Sequence, residues 1–145
     1  MKLSNNLTFE SLIQSFERKY GQQYNSMQLS RLKQGFDKGL DISRCANPRY
    51  DWTIMREVLW GLVSGVDISR HLEYDTTEER ARLIRHGRER KLDVSRYESR
   101  NLTQKEAEKI YDELLEEKLL QEKRKRMTKV QLENEIIQQR FRNSN

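Results

Sequence analysis

The chain has 145 residues, 34% apolar and 35% charged, with a formal net charge of +5, against roughly 45–50% apolar and about 25% charged in ordinary globular domains. That balance cannot enclose a deep core, which excludes a β-sandwich or barrel, and six glycines with one proline favour thin layers of helix over turn-rich folds. The single Cys45 excludes an internal disulfide and a cysteine zinc cluster, and no apolar run approaches the roughly 18–20 residues of a membrane span. In chain order, LTFESLIQSFERKYG reads as an N-terminal helix with Thr8 as cap and Gly21 as stop. A repeated phrase follows: KGLDISR at 38–44, SGVDISR at 64–70 and RKLDVSR at 90–96, each 26 residues after the last. Asn25, Asp51, Thr77 and Thr103 fall in one register of that period, and all suit a helix N-cap; Gln28 and Glu106 complete capping boxes with the first and last.

After each cap, apolar residues recur at helical spacing, for example Leu29, Leu32 and Phe36, then Met55, Val58, Leu59 and Leu62. Gly39 and Gly65 suit left-handed C′ positions with Leu40 and Val66 behind them, whereas Lys91 in the third copy predicts a strained or looser ending. Asp41, Asp67 and Asp93 then suit the cap of a second, one-turn helix over ISRCA, ISRHL and VSRYE, so the phrase reads as a joint. Gly35, Gly61 and Gly87 share a register inside the helices. A mid-helix glycine costs about 1 kcal/mol relative to alanine, so close backbone approach by a neighbouring turn is expected there. Residues 103–142 lack glycine and proline and predict one long helix, frayed near KRKRMTK. Its second half places Leu120, Met127, Asn134 and Phe141 at one heptad position, with Val130 and Ile137 at the other.

The stretch ANPRYDWTIMREVLWGLVSGVDIS, residues 46–69, resembles short tandem helical repeats of uncharacterised proteins from Gram-positive phages, plasmids and other mobile elements. Ala46, Pro48, Tyr50, Met55, Glu57, Gly61, Leu62, Gly65, Val66, Asp67, Ile68 and Ser69 match their pattern of A-x-P-x-aromatic, an apolar-periodic helix, then G-L-x-x-G-[LV]-D-[IV]-S. The likeness spans about residues 25–100 and weakens outward; the third copy lacks the Pro and the second Gly. It implies a helical-repeat fold and a mobile-element setting, and it carries over no catalytic residues. MKLSNNLTFE has no apolar signal core, so the expected location is the cytoplasm of a bacterial host cell.

His71 and His86 sit where other copies have unlike residues, and no metal-ligand spacing, phosphate loop or nucleophile elbow occurs. No catalytic residue, metal or cofactor is expected. Arg44, Arg70 and Arg96 recur in register and, in a solenoid-like stack, would form a ladder able to face phosphates. The alternative is that each covers apolar surface and pairs with an acid such as Asp41, Asp67 or Glu98. Lys123, Arg124, Lys125, Arg126 and Lys129 crowd the tail, where residues 121–145 hold seven cations against three acids. Such density attracts phosphate backbones and acidic protein faces alike, and a solvated helix face is the plain reading. Trp52 and Trp60 fall within about 80° of each other on a helix, which suits a place in the core or packing between copies; an exposed member would serve as an anchor.

The expected architecture is all-α: an N-terminal helix at 1–22, three 26-residue helical repeats at 23–101 stacked like a solenoid, and a long C-terminal helix at 102–145 whose second half is basic and coiled-coil-like. The expected function is that of a non-catalytic interaction protein of a phage or mobile element. Its partner would be a host protein or protein–nucleic-acid complex, with inhibition of a defence nuclease, in the manner of an anti-CRISPR protein, as the role the setting implies. The alternative is direct DNA or RNA binding through the basic tail and the Arg ladder. No membrane partner is expected; a homodimer through the C-terminal helix is.

Overall fold

The chain is all-α. The computed structural model describes residues 8–144; residues 1–7, which open the expected 1–22 segment and hold most of MKLSNNLTFE, and Asn145 lie outside the described residues. Among those described there are five α-helices and no strand: α1 (Phe9–Tyr20), α2 (Ser26–Asp37), α3 (Trp52–Val63), α4 (Glu78–Glu89) and α5 (Gln104–Asn143). None is long and apolar enough to cross a membrane.

Each helix starts where an oxygen-bearing side chain takes up an orphan backbone N–H. Thr8 accepts from Ser11 N at 3.1 Å, Asp51 from Thr53 N at 3.0 Å and Thr77 from Arg80 N at 3.2 Å. The two expected capping boxes are complete, Asn25 with Gln28 and Thr103 with Glu106. α2, α3, α4 and α5 consequently begin at residues 26, 52, 78 and 104.

The endings of α2, α3 and α4 share one hydrogen-bond pattern. Leu40, Val66 and Leu92 donate backbone N–H to the carbonyls of Gly35, Gly61 and Gly87 at 3.0, 2.8 and 2.8 Å, and the residue before each donates three positions back. This is a Schellman ending. Gly39 and Gly65 hold it at φ 74° and 83°, and Lys91 holds it at φ 60°. The third ending is therefore strained, as expected, but it is not looser: Lys91 accepts the left-handed cost because the same two bonds reward it.

After each ending the chain turns through a short 3₁₀ segment, at Ile42–Cys45, Ser69–His71 and Val94–Arg96. Asp41, Asp67 and Asp93 accept from the backbone N–H two residues on, at 3.2, 2.9 and 3.2 Å. The middle segment starts later than ISRHL predicts, at Ser69, although the bond from Asp67 persists.

This turn explains the in-register glycines. A Cβ at Gly35 would meet Ile42 Cγ2 at 3.0 Å and Leu59 Cδ2 at 2.7 Å; at Gly87 it would run into the Tyr97 hydroxyl and Val94 Cγ1. At two of the three sites side chains make the approach. Only Gly61 faces backbone, the Val66 carbonyl at 2.9 Å. The chain folds back over its own helix at each glycine, and at Gly35 the neighbouring helix presses in as well through Leu59 of α3.

Consecutive helices pack in order, α2 on α3, α3 on α4 and α4 on α5. The thin core between them holds Leu32, Ile42, Met55, Val58, Ile68, Ile84 and Tyr97. Two buried polar side chains stitch this stack across its loops. Gln28 completes its capping box and also donates Nε2 to the carbonyls of Pro48 and Tyr50, at 2.8 and 2.7 Å. Arg80, in the same register, donates to the carbonyls of Tyr97, Ser99 and Leu102. Both satisfy loop carbonyls that burial would otherwise leave costly. In the copy between them the position is Ile54, simply buried in the core.

α5 docks by its first turns, through Ala107, Ile110, Tyr111 and Leu114. Lys118 makes the last tie, its ammonium donating to the Arg90 carbonyl. Every residue from 119 to 144 is exposed, and the helix runs unbroken through KRKRMTK. The expected fraying there does not occur. Lys, Arg and Met are good helix formers, and exposed cations on successive turns have water to screen them.

Candidate interaction surfaces

The joint residues form one edge of the stack. Arg44 Nε lies 3.4 Å from Asp41 and 3.3 Å from Asp67, so it bridges its own turn to the next one. Arg44 and Arg70 line a shared open cleft with Tyr20, Asn47, Tyr50 and Tyr74; Arg96 is not among its lining residues. Two members of the expected ladder are thus brought together. Glu98, offered as an acid for the arginines, instead takes His71 Nδ1 at 2.5 Å.

Aromatic rings floor this cleft. Tyr50 and Tyr74 meet at 5.1 Å between centroids, the Arg49 guanidinium lies 4.1 Å over the Tyr74 ring, and Asn47 donates to Tyr74 Oη at 2.8 Å. Burial, with Tyr74 beside it, holds the Tyr50 hydroxyl above its ordinary value, so it stays a neutral donor. Cys45 lies beneath, its thiol pushed up to about 12 by burial and by Asp41 and Asp67. A thiol so protonated is a packing group and not a nucleophile. His86 is held below its ordinary value by burial and then by Arg85 and Arg90, so it stays neutral at pH 7.

Asp67 gives the edge a test. Burial would raise its carboxyl, but hydrogen bonds from Ser69, with Arg44 and Arg70 nearby, hold it below the ordinary 3.8. A depressed carboxylate stabilises the fold above its unfolded value and loses that contribution as pH falls through the folded one. Asp67→Ala should therefore lower stability by about 1 kcal/mol near pH 7 through loss of the turn cap. In thermal melts the gap between parent and variant should narrow as the pH drops below the ordinary carboxylate range. A variant as stable as the parent at pH 7 that had nonetheless lost its partner would make the phrase a binding site and not a joint.

The tail cations occupy different ground. Lys123, Arg124, Lys125, Arg126 and Lys129 are all exposed on α5, and none joins an ion pair among the described residues. At about 100° per residue, Lys125, Lys129, Arg126 and Lys123 spread over roughly 160° of the helix, with Arg124 outside that arc. Lys123 falls at the seam position shared by Val130 and Ile137. Sequence spacing shows this, yet the density of charge obscured it.

A third surface was only half anticipated. Trp52, Arg56 and Trp60 follow one another along α3 at spacings of four, so Arg56 sits between two indoles, 5.2 Å from one and 4.8 Å from the other. Arg31 of α2 covers Trp52 at 4.8 Å, and Arg85 of α4 covers Trp60 at 5.4 Å. The tryptophans are not core: Trp60 is 44% exposed, and both serve as platforms for guanidinium groups. Beneath them Glu57 is fully buried, with Arg85 Nε at 3.1 Å, Arg56 Nε at 3.6 Å and Arg82 Nε at 4.0 Å. Glu78 and Glu89 balance the same arginines from the rim. No family model, curated protein or solved structure matches this chain.

Proposed function

We propose that the chain is a non-catalytic interaction protein of a phage or mobile element, built from three 26-residue helical repeats over 23–101 and a long basic helix. It binds a host protein or protein–nucleic-acid complex, and the mobile-element setting suggests a defence nuclease as the kind of target. One observation carries the reading: after Lys118, α5 leaves the stack and stays exposed to residue 144, with five unpaired cations near its middle among the described residues. A fold gains nothing internally from such an arm. Its value lies in long-range attraction of an acidic or phosphate-bearing surface.

The second reading is direct nucleic-acid binding. Favouring it is the cleft in which Arg44 and Arg70 stand beside the Tyr20, Tyr50 and Tyr74 rings, since cations with aromatic platforms suit single strands.

Changing Lys123, Arg124, Lys125 and Arg126 together to Gln separates the two. Helix propensity is nearly constant and the stack lies upstream, so the melting temperature should hold. Capture of the partner from host lysate should be lost, while the parent's affinity for bare duplex DNA or single-stranded RNA, read by fluorescence anisotropy, stays weak. Tight parent binding to naked nucleic acid would establish the second reading instead, provided that its log–log salt slope fell by about 0.9 per lost contact on duplex or about 0.7 on single strands.

A further inference from the structure

The free half of α5 carries an apolar seam that no other element covers among the described residues: Leu120, Met127, Val130, Ile137 and Phe141 are all exposed. They repeat with heptad spacing, which on a helix is the signature of a partner helix. Two polar residues interrupt the seam, Lys123 and Asn134. The identity of the occupant follows from asking which partner satisfies both the apolar layers and those two interruptions.

We propose that this segment pairs with the same segment of a second copy of the chain, antiparallel, with Leu120 opposite Ile137 of the second copy and Met127 opposite its Val130. In this register the Leu120–Ile137 and Met127–Val130 layers recur on both sides of the two-fold axis, while at the two exposed ends of the overlap Phe141 faces Glu116 of the second copy. Lys123 then falls opposite Asn134 of the second copy, so the ammonium donates to the amide oxygen and neither seam polar group is left unpaired. On one flank Arg126 lies against Glu133 of the second copy, twice by symmetry. On the other, Arg124 lies against Gln131. No like charges meet.

Every neighbouring arrangement fails on charge. A parallel, in-register pair sets Lys123 against Lys123 inside the seam and brings the two KRKR clusters side by side. Sliding the antiparallel pair one heptad in one direction sets Arg126 against Arg126 and buries Lys123 against Met127. Sliding it the other way sets Arg126 against Arg140 and Glu133 against Glu133. Like charges in such positions destabilise a coiled coil, and a polar seam pair fixes its register. The overlap runs from about residue 116 to 141, roughly 39 Å of helix at 1.5 Å per residue. The two stacks then stand at opposite ends of a rod, and Lys125 and Lys129 remain on its outer face.

Disulfide trapping of the full chain tests orientation and register together. Leu120→Cys/Ile137→Cys should oxidise to a covalent dimer, whereas neither single variant should, because like positions lie roughly 25 Å apart along the rod. Cys45 is buried and does not compete. Sedimentation of the untreated parent should show concentration-dependent dimer; Arg126→Glu should weaken it about tenfold, and adding Glu133→Arg should restore it. A covalent dimer from either single variant, or a chain that sediments as a monomer at every concentration, overturns the proposal. A monomer that still captured its host partner would leave the functional reading standing while removing this one.

Discussion

Glu57→Ala is expected to destabilise the fold by roughly 3–5 kcal/mol, the usual loss when one member of a buried ionic cluster is removed. The reason lies in the balance of the α3–α4 junction. Three arginines, Arg56, Arg82 and Arg85, converge on three acids, Glu57, Glu78 and Glu89. Only Glu57 is wholly buried. Taking away its charge leaves three guanidinium groups with two carboxylates, on a face where Trp52 and Trp60 already keep water from two of them. Glu57→Gln keeps the volume and an acceptor for Arg85, so its cost should fall between parent and alanine. Thermal melts followed by circular dichroism would show the alanine variant lower by on the order of 10 °C for a chain of this length. An alanine variant that melted with the parent would mean that the arginines are held by the indoles alone.

How far this was legible depends on the range of the interaction. The four caps, the left-handed glycines and the Asp-to-Ser turns are local, each set by residues within five positions, and a single sequence displays them. Lys91 marks the boundary of that legibility. Its residue type argues against the left-handed ending it adopts, and only the bonds closed by its neighbours select it. The stitching by Gln28 and Arg80 was invisible, because each reaches carbonyls about twenty residues away that sequence does not mark as buried. Arg56 was readable in principle, since its place between Trp52 and Trp60 follows from helical spacing, but spacing alone favoured a core role for the indoles. His71 and Glu98 meet across 27 positions, and neither residue announces the other. Of the expected site residues, Arg44 and Arg70 line one cleft. Arg96, at the corresponding sequence position, does not line it.

Gly87→Ala is expected to cost roughly 3 kcal/mol or more, although alanine inside a helix ordinarily gains about 1 kcal/mol over glycine. The added methyl would occupy the space of the Tyr97 hydroxyl and crowd Val94 Cγ1 at 2.8 Å. Tyr97 cannot step aside. It is fully buried, donates to the Leu83 carbonyl at 2.8 Å, and meets the Tyr111 ring of α5 edge-on at 6.0 Å. Moving it gives up a partly buried hydrogen bond and loosens the seat of α5 at once, on top of the strain of overpacking. Gly35 provides the contrast, for there the methyl meets the ends of Leu59 and Ile42, side chains that can rotate, so Gly35→Ala should be far milder. Combining Gly87→Ala with Tyr97→Phe removes the oxygen that the methyl displaces and should recover part of the loss. Urea unfolding of the three variants would decide the matter. If the double variant proved no more stable than Gly87→Ala alone, the cost would lie in the helix backbone and not in the ring that the glycine admits.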